Sequence, residues 1–381
     1  IIPRMPSSSL ALLGPGPPDR GGIAQQTMLL ADALGPRLAG YFTYSRGYPR
    51  LINPRRFDVA PELAEAAKRV TPALDWARPW SWRQTARRIV GTGASAVIAP
   101  WWTAFWGPSL RGVFRATRRE NPRFRNVLLC HHVFDHESAA WKKWLTWRAF
   151  AAADAVIAQS DADCDTIAAR FPRMPIRVLP HPVEDRPLAD REASRKKLGI
   201  APDRPLVLFL GLVRPYKGLD VLFDAAPRIV EKTGAEISVV GEVFPDSRDD
   251  MARLMRRPIA SRIRVVDRYV TEAEMDEWLA ACDVVVCPYR KNSGSGIAAR
   301  AIAARRPVVA SDQSGFRPFV MPETGALVPE DDPFRLAEET IRVLGNGVSS
   351  YATRLAEVAA AHSWPGYADE VGRFVANNTN V

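Results

Sequence analysis

Short apolar runs alternate with helix-length segments along this chain, and the alternation occurs twice. The first half contains SLALLG, SAVIAP, NVLLC, DAVIAQS and IRVLP, and the second half contains LVLFLG, EISVVG, RIRVVD, DVVVCP and PVVAS. Continuous apolar strands separated by helices are typical of parallel sheets that are covered by helices on both faces. The predicted fold class is therefore α/β, with one Rossmann-like, doubly wound domain in each half and ligands in a cleft between them.

A segment rich in proline and charge separates the two sets of strands. Residues 181–205 read HPVEDRPLADREASRKKLGIAPDRP, which is typical of a linker. We therefore predict an N-terminal domain at residues 1–183 and a C-terminal domain at 184–363. The length of 381 residues gives each domain enough chain for its own core.

Charge is divided unevenly between the halves. Residues 1–183 contain 25 Lys and Arg against 13 Asp and Glu, whereas residues 184–381 contain 27 against 29. A half this basic indicates an anionic partner, which is a membrane surface, a phosphate-bearing lipid or a nucleic acid. No recognisable RNA- or DNA-binding module accompanies the charge, so nucleic acid is the least favoured of the three.

Several features favour a cytoplasmic protein. No apolar run approaches the roughly 20 residues that cross a bilayer, and the first residues do not resemble a secretion signal. Four cysteines lie on or beside apolar segments without CxxC spacing, and we interpret them as reduced core residues. They are Cys130, Cys164, Cys282 and Cys287.

The segment LVLFLGLVRPYKGLD, residues 206–220, is the strongest functional signal. A strand and a glycine turn are followed by Arg214, Lys217 and a second glycine, directly before an amphipathic helix. Two cations and the free N–H groups of a helix N-terminus suit a cluster of anionic oxygens, above all a diphosphate. The segment matches neither a Walker loop nor the dinucleotide fingerprint. An ordinary strand-to-helix turn with solvated Arg214 and Lys217 is the alternative.

Two glycine-rich loops follow other predicted strands. In GPGPPDRGG, Gly21 and Gly22 open a helix and allow close approach of a ligand to the backbone, although tight turns use the same residues. In PYRKNSGSG, the amides of Ser295 and Gly296 at the start of a helix form a second possible anion site.

Three histidines lie after the run NVLLC, in CHHVFDHE. His131, His132 and His136 stand at a strand end, which suits a proton-transfer or hydrogen-bonding group. The order is not His-Glu-x-x-His, and the Val-Phe-Asp turn argues against one continuous helix, so a zinc site is disfavoured. For His132 and His136 a core or conformational role is expected.

Taken together, these pieces resemble the retaining glycosyltransferases of the GT-B fold, family 4 in the sequence classification. The resemblance runs from the Gly-Gly loop through GLVRPYKGLDVLFDA, VVGE, VVDRYVTEAEMDEWLAACDVVVCPYR and RRPVVASDQSGFRPFV to the closing HSW segment. PWWTAFWGP and YSRGYPRL resemble a bacterial branch linked to the assembly of cell-surface polysaccharides and glycolipids.

The resemblance implies a retaining, metal-independent transfer of a hexose-type sugar from a nucleotide-diphosphate sugar to a glycan or polyprenyl- or lipid-linked acceptor, with no cofactor. Its implied catalytic residues are His131 near the transferred sugar and Arg214 and Lys217 on the diphosphate. It also implies that a helix at 364–381 packs back on the N-terminal domain. The implied donor-binding residues include those two cations and also Gly21, Gly22, Tyr269, Val270, Asn292, Ser293, Gly294, Ser295 and Gly296.

One position departs from the family pattern. Many relatives carry two glutamates eight positions apart, near the donor sugar and the ribose, where this chain has Asn292 and Arg300. Asn292 can still hydrogen-bond a hydroxyl group, but Arg300 cannot accept a hydrogen bond from ribose. The identity of the donor is therefore left open.

Tryptophan alternates with cations in the basic half, at residues 76–88 and 141–150. Trp141, Trp144 and Trp147 recur every three residues and are predicted to form one stripe of a helix. Such a surface suits an anionic membrane interface, and peripheral binding to the inner face of the membrane is the hypothesis. Burial of the tryptophans in the core is the alternative.

Trp101 and Trp102 follow the strand SAVIAP. They are expected to stack on an acceptor sugar, and core packing is the alternative. Two further functional classes remain open beside transfer. A sugar-nucleotide epimerase or a non-catalytic sugar-nucleotide-binding homologue would share the phosphate site, and a basic nucleic-acid-binding protein is the less favoured reading.

Overall fold

The computed structural model describes residues 9–17, 21–46, 64–134, 139–184 and 186–378. The chain divides into two compact units. The first unit contains the described residues up to Leu179 and from Trp364 onward, and the second unit contains those from Pro180 to Ser363. The boundary thus falls at Leu179 and not after residue 183.

A seven-stranded parallel sheet forms the centre of the first unit. Its strands are β1 (Leu10–Leu13), β2 (Leu38–Tyr44), β3 (Thr71–Leu74), β4 (Ala96–Trp101), β5 (Arg125–Cys130), β6 (Ala155–Ala158) and β7 (Ile176–Val178). They lie in the order β3-β2-β1-β4-β5-β6-β7. Strands β1, β4 and β6 are buried along their whole length because helices cover both faces.

Among the described residues up to Leu179, six α-helices follow in chain order. They are α1 (Gly22–Leu34), α2 (Ala64–Ala67), α3 (Pro79–Gly91), α4 (Gly107–Glu120), α5 (Ala140–Phe150) and α6 (Asp161–Arg170). Helices α3, α4 and α5 pack side by side, and α3 and α4 bury Ile89, Leu110 and Phe114 in one apolar cluster. The opposite face of the sheet is covered by α1, through residues such as Leu30.

A six-stranded parallel sheet forms the centre of the second unit. Its strands are β8 (Leu206–Leu210), β9 (Glu236–Val240), β10 (Ile263–Val266), β11 (Val284–Cys287), β12 (Val308–Ser311) and β13 (Gly325–Val328). They lie in the order β10-β9-β8-β11-β12-β13. The first six strands of the other sheet lie in the same arrangement. In each sheet the strand order reverses once, between β8 and β11 here and between β1 and β4 in the first unit.

Seven helices belong to the second unit. They are α7 (Arg191–Leu198), α8 (Leu219–Thr233), α9 (Arg248–Leu254), α10 (Glu272–Ala281), α11 (Gly296–Ala303), α12 (Pro333–Asn346) and α13 (Ala352–Ala361). Their apolar residues and the strands form one continuous cluster of buried side chains. The longest of these helices, α8, begins directly after the segment that carries Lys217.

The predicted linker at residues 181–205 is wrong over much of its length, because it contains α7. The Asp190 side chain caps this helix by accepting a hydrogen bond from the Ala193 amide at 2.7 Å, and Gly199 ends it in the left-handed conformation. Arg195 is almost completely buried and pairs with Asp283 at 2.7 Å. Part of this charged segment is therefore a helix of the second unit and not a linker.

The last helix, α14 (Trp364–Asn377), lies in the first unit. It packs on α1 through Trp364 and Val371, and Arg37 pairs with Asp369 at 2.8 Å. Where the chain enters and leaves the second unit, the Val183 amide donates to the His362 carbonyl at 2.8 Å. The entry and exit of the second unit are thus hydrogen-bonded to each other.

The reversal of strand order determines where a ligand site is expected. In open parallel sheets, ligands bind at the carboxyl ends of the strands on either side of this reversal. In the second unit these ends lead into residues 211–218, which we call the β8 loop, and residues 288–295, which we call the β11 loop. Both contain residues that the sequence singled out. Among the described helices, none is long and apolar enough to span a membrane.

Candidate functional site

The β8 loop ends at Gly218, directly before the first residue of α8. Gly211 leaves the strand with φ of 103°, and residues Pro215–Lys217 form a single 3-10 turn. Gly218 follows with φ of 64°, and a Cβ atom there would collide with the carbonyl oxygen of Pro288. Glycine is therefore required at position 218 both by the backbone conformation and by the close approach of the β11 loop.

Lys217 is the central residue of the site. Its side chain is only 9% exposed, and it forms no ion pair with any carboxylate of the described residues. Burial lowers the pKa of its ammonium group to about 8, with Arg214 acting in the same direction and the Cys287 thiol opposing it. A buried ammonium without a counter-ion is unfavourable unless an anion binds beside it.

The second predicted cation differs from the first. Arg214 is about one-third exposed, pairs with Asp246 at 2.7 Å, and lies 4.7 Å from the ring centroid of Phe244. Its charge is thus already balanced by a carboxylate, and the stacking fixes the direction of the guanidinium. The two cations are close enough for Arg214 to affect the pKa of Lys217.

Arg290 joins the β8 and β11 loops, and the sequence analysis did not identify it. Its amide donates to the Tyr216 carbonyl at 2.8 Å, and its guanidinium donates to the Pro215 carbonyl at 3.2 Å. Asp220 and Asp331 both pair with it at 2.7 Å, and these carboxylates raise the pKa of the guanidinium above its usual value. The signal was only its place three residues beyond the end of β11.

Tyr289 connects Lys217 with the N-terminus of α11. Its ring is almost completely buried, and its centroid lies 5.0 Å from Lys217 Nζ. Its phenol hydrogen-bonds with the side chain of Ser295. The Ser295 hydroxyl in turn accepts a hydrogen bond from the Ala298 amide at 3.1 Å, which caps α11. The buried cation and the α11 N-terminus, both predicted to contact anionic oxygens, therefore belong to one site.

Asn292, Ser293 and Gly294 form the turn that leads into α11. The Gly315 amide donates to the Asn292 carbonyl at 3.2 Å, and a Cβ atom at Gly315 would collide with the backbone of this turn. The Asn292 amide nitrogen is buried without an acceptor among the described residues. An unsatisfied buried donor beside an anion site suits a ligand that carries acceptor oxygens.

The segment proposed to contact a base lies after β10. The Tyr269 side chain is largely exposed, whereas Val270 is buried. This segment is connected to the β8 loop through the loop after β9. Val213 pairs with Val243, and the Val243 amide donates to Asp267 at 2.8 Å. A backbone bridge and a hydrogen bond from backbone to side chain thus connect the segment with the β8 loop, while its role stays a prediction.

Arg300 turns toward α10. Its guanidinium pairs with Glu272 and lies 3.8 Å from Asp276. Arg186 shares both carboxylates, at 3.5 Å and 3.3 Å. The residue that stands in place of a glutamate is therefore neutralised by carboxylates of α10.

The remaining predicted donor and catalytic residues lie in the first unit. Gly21 and Gly22 are exposed at the start of α1, and a Cβ atom on either would meet nothing within 4 Å. His131 is buried directly after β5, and its amide donates to the Trp101 carbonyl at 2.9 Å. Their roles stay predictions. His132 is half-buried after the same strand, and His136 lies outside the described residues.

Trp101 is a core residue, so the expectation that it stacks on an acceptor sugar is wrong. Its side chain is 1% exposed, its indole N–H donates to the Val133 carbonyl at 3.2 Å, and it packs edge-to-face on Phe150. Trp102 is half-buried beside Tyr44. Strand β4 is buried along its length, which explains why a large aromatic side chain at its end faces the core.

The tryptophans of α5 do not form one stripe. Trp141 and Trp144 are largely exposed, whereas Trp147 packs against Phe134 and other aromatic side chains of the core. The guanidinium of Arg148 lies 4.5 Å from the Trp144 ring centroid. The core alternative thus holds for Trp147, while the membrane-interface hypothesis for the exposed face of α5 stays a prediction.

Two arginines of α4 lie near Arg148, the residue that stacks on Trp144. Arg111 and Arg115 of α4 and Arg148 of α5 form no ion pair with a carboxylate in the described part of the chain. Burial lowers the pKa of Arg111, and the charges of Arg115 and Arg148 lower it further. We call Trp141, Trp144 and these three arginines the α4–α5 surface.

The described residues offer little support for a metal site or for thiol-based catalysis. They contain no group of three or more His, Cys, Asp or Glu side chains that could hold a metal ion. The four cysteines are unpaired, and burial raises the pKa of the thiols of Cys282 and Cys287 to about 12. These two thiols are poor nucleophiles at neutral pH.

Comparison with known sequences finds one family model and several curated relatives that resemble this chain. Residues 204–346 match the model of a family described as Glycosyl transferases group 1. The chain is 30% identical over 242 residues to a D-inositol 3-phosphate glycosyltransferase of Streptomyces bingchenggensis, over 57% of this chain and 53% of that protein. It is 31% identical over 230 residues to D-inositol 3-phosphate glycosyltransferase 2 of Catenulispora acidiphila, over 56% and 53%. The chain spans about half the length of these curated relatives.

Solved structures match nearly the whole chain. A glycosyltransferase from Rickettsia africae matches with a TM-score of 0.74 at 14% identity, over 98% of this chain and 99% of that one. Anabaena Alr3699/HepE in complex with UDP and glucose matches with a TM-score of 0.71 at 16% identity, over 97% and 100%. Sucrose-phosphate synthase from Thermosynechococcus elongatus matches with a TM-score of 0.70 at 18% identity, over 97% and 98%. The predicted fold class, two Rossmann-like parallel-sheet domains of the GT-B type, is confirmed.

Proposed function

We propose that this protein is a glycosyltransferase that moves a sugar, with retention of configuration, from a nucleotide-diphosphate sugar to a second molecule. The observation that carries the proposal is Lys217, a buried ammonium group with no carboxylate partner among the described residues, at the reversal of strand order. The family match supports it because residues 204–346 include both the β8 and the β11 loops. The neighbours in complex with UDP support a nucleotide donor.

The chemistry follows from the charge that develops when the glycosidic bond breaks. The leaving diphosphate gains negative charge, and Lys217 and the α11 amides would stabilise it more strongly in the transition state than in the bound donor. Arg214 would hold the diphosphate from the more exposed side. The unsatisfied Asn292 amide nitrogen would donate to a sugar or phosphate oxygen. Transfer by this route requires no metal ion from the protein.

The acceptor side of the proposal rests on the first unit. A retaining transfer can take place with the acceptor on the face that the diphosphate leaves, and the departing phosphate then takes the acceptor proton. His131 would orient a sugar hydroxyl in this arrangement. Gly21 and Gly22 would lie near the distal phosphate. We assign no general base.

Two classes of acceptor are proposed. The first is a glycan or lipid-linked acceptor in the synthesis of cell-surface polysaccharide or glycolipid, which the basic first unit and the α4–α5 surface favour. The second is a small phosphorylated polyol or sugar, which the names of the inositol-phosphate relatives and of sucrose-phosphate synthase suggest. Peripheral binding to the inner membrane surface belongs to the first class only.

Donor binding tests the proposal directly. UDP, GDP and ADP, each with and without an attached glucose, are compared by thermal shift and then by calorimetry. The protein is expected to bind at least one of them, because a ligand of the folded state raises Tm. Replacing Lys217 by Met, which keeps the length but removes the charge, is expected to weaken binding by about 10-fold or more.

The matched control is Lys232→Ala, at an exposed position of α8 in the same unit. This variant should bind as the wild type does. Wild-type protein that binds none of the six compounds, or a Lys217→Met variant that binds and turns over as the wild type does, would contradict the proposed function.

Product analysis separates transfer from the alternatives. Incubation of the bound donor with a lipid-linked glycan extract or with inositol phosphate is expected to yield a glycoside whose anomeric configuration, read by NMR, equals that of the donor. When the donor is incubated with the protein but without an acceptor, the configuration of its sugar should not change. Conversion of the sugar without acceptor would favour an epimerase and would contradict transfer.

A further inference from the structure

His181 lies at the N-terminus of α11, although it is far from that helix in sequence. It is the second residue of the second unit. The segment that carries it is fixed by the hydrogen bond from the Val183 amide to the His362 carbonyl. Its Nε2 atom is 3.6 Å from the position that a Cβ atom would occupy on Gly296, the first residue of α11. The imidazole therefore faces the end of the helix where backbone amides are free.

The other ring nitrogen has a fixed partner. His181 Nδ1 lies 2.8 Å from the carbonyl oxygen of Pro182. A carbonyl oxygen only accepts hydrogen bonds, so Nδ1 carries the proton and donates. Burial lowers the pKa of the imidazole and outweighs the Pro182 carbonyl, which raises it; no charged side chain among the described residues contributes to this shift. In the neutral ring, Nε2 therefore carries a lone pair and can only accept.

The surroundings of Nε2 point to a ligand. The α11 N-terminus lies against Tyr289, which also contacts Lys217, the nine-tenths-buried cation without a carboxylate partner in the described chain. The nearby Asn292 amide nitrogen is a buried donor without an acceptor. The Lys217 ammonium, the Asn292 amide nitrogen and the helix amides can only donate, which suits phosphate oxygens. A lone pair repels such oxygens, so the Nε2 acceptor requires a different part of the ligand.

We infer that His181 is a donor-binding residue whose Nε2 accepts a hydrogen bond from a hydroxyl group of the nucleotide sugar bound at the α11 N-terminus. The hydroxyl belongs to the transferred sugar or to the ribose, since both carry hydroxyl groups close to a phosphate. The inference rests on the proposed function. It adds a residue that distinguishes a hydroxyl-bearing ligand from a bare diphosphate.

The test uses calorimetry to measure how variants at position 181 bind two compounds. These compounds are a nucleoside diphosphate and its glucose derivative, chosen as the pair that the wild type binds most tightly in the panel above. His181→Phe keeps the ring and removes the acceptor, and it is expected to weaken binding about 10-fold, the loss typical of one buried hydrogen bond. His181→Gln places an amide oxygen near the position of Nε2 and is expected to recover at least half of the lost binding free energy. Inorganic pyrophosphate, which has no hydroxyl group on carbon, should bind all three proteins equally.

Each outcome has one meaning. A loss only with the glucose derivative assigns the hydroxyl to the sugar, and an equal loss with both compounds assigns it to the ribose. If His181→Phe binds both compounds as the wild type does, the inference is wrong while the proposed function stands. Failure of the wild type to bind any compound instead removes the proposed function, on which the inference rests.

The pH dependence of binding distinguishes the inferred acceptor role of His181 from a structural role and from a cationic role. Glucose-derivative binding by the wild type should weaken as the pH falls from 8 to 5, because protonation of Nε2 removes the acceptor, and His181→Gln should lack this component. Stronger binding at low pH that the Gln variant lacks would mean an imidazolium on the phosphate and would overturn the inference. A His181→Phe variant with lower Tm but unchanged affinity would do so too.

Discussion

At the scale of single residues, the two predicted cations of the β8 loop have different electrostatic environments. Arg214 has a carboxylate partner and an aromatic ring, whereas Lys217 has neither solvent nor a carboxylate of the described chain beside it. A ligand anion must compete with Asp246 for Arg214 but has no such competitor at Lys217. Lys217 should therefore contribute more to donor affinity than Arg214.

The pKa of Lys217 leads to a prediction about pH. The ammonium has a pKa of about 8 in the free protein, and a bound diphosphate favours the charged form and so raises this pKa. Above pH 8 the donor must therefore bind together with a proton, and affinity should fall by up to about tenfold per pH unit. Calorimetry between pH 7 and 9.5 in two buffers of different ionisation enthalpy measures both the affinity and the proton uptake.

The control for this prediction is Lys217→Arg. Arginine stays charged throughout this range, so binding by the variant, even if weaker, should not change with pH in the same way. A wild-type affinity that is constant to pH 9.5 would show that Lys217 does not contact the diphosphate.

The sequence predicted some residues of the site and not others, for physical reasons. Arg214, Lys217 and the turn at 292–296 lie in short segments whose spacing carries the signal. Arg290 and His181 reach the site through contacts with segments 75 and 115 residues away, which are formed only in the folded chain. Trp101 was misassigned because position after a strand does not tell which face of the sheet a side chain takes.

At the scale of secondary-structure elements, the site depends on how closely the β8 and β11 loops approach. Gly218 lies against Pro288, and Arg290 bonds to two carbonyls of the turn before α8. These contacts fix the position of Lys217 relative to α11. The site is thus formed by two strand-to-helix connections and not by one motif.

Two glycines allow this approach to be tested. Gly218 and Gly199 have nearly the same φ, 64° and 65°, but a Cβ atom on Gly199 would meet nothing within 4 Å. Alanine at Gly199 should cost about 1–2 kcal/mol from backbone strain alone, and alanine at Gly218 at least about twice as much because of the collision with Pro288. Urea unfolding of the two variants gives the difference, and equal losses would contradict the close approach.

The sequence predicted the elements that are buried on both faces. Strands such as β1, β8 and β11 appear as continuous apolar runs because both of their faces are covered. Strands β2, β3 and β13 were not predicted. Strand β2 is half-buried at one end, β3 is a partly exposed edge strand with a proline, and β13 is a four-residue edge strand of the second sheet. Helix α7 was not predicted because its charged residues make buried ion pairs and backbone contacts.

At the scale of the whole molecule, the excess of positive charge and the exposed tryptophans of the described residues lie in the first unit. The α4–α5 surface combines two exposed tryptophans with three arginines that lack carboxylate partners among the described residues. Tryptophan and arginine side chains favour the interface of an anionic bilayer, where the ring lies among the headgroups and the cation contacts phosphate. The overall charge was readable from the sequence, but its position on α4 and α5 required the fold.

Vesicle binding tests this surface. Flotation with vesicles containing 30% phosphatidylserine should recover the wild type at 50 mM salt and less at 500 mM, because salt screens the attraction. The double variant Arg111→Ala, Arg115→Ala should bind about 30-fold more weakly, since each arginine near an anionic surface contributes about 1 kcal/mol.

The matched control is Arg256→Ala, Arg262→Ala, which removes two exposed arginines from the second unit. It should float with the vesicles as the wild type does. Equal recovery of all three proteins, or equal binding to vesicles of phosphatidylcholine alone, would exclude the α4–α5 surface as an electrostatic membrane contact.

The hydrogen bond between Val183 and His362 has a consequence for the evolution of such a chain. Because the polypeptide enters and leaves the second unit at one place, residues 180–363 form an insertion whose ends are held together by its own backbone. Such a block can be excised and exchanged between homologues with only two junctions to match. Chimaeras joined at these junctions would combine the first unit of one homologue with the second unit of another. The sequence of one unit could then change in evolution while the other unit keeps its own fold.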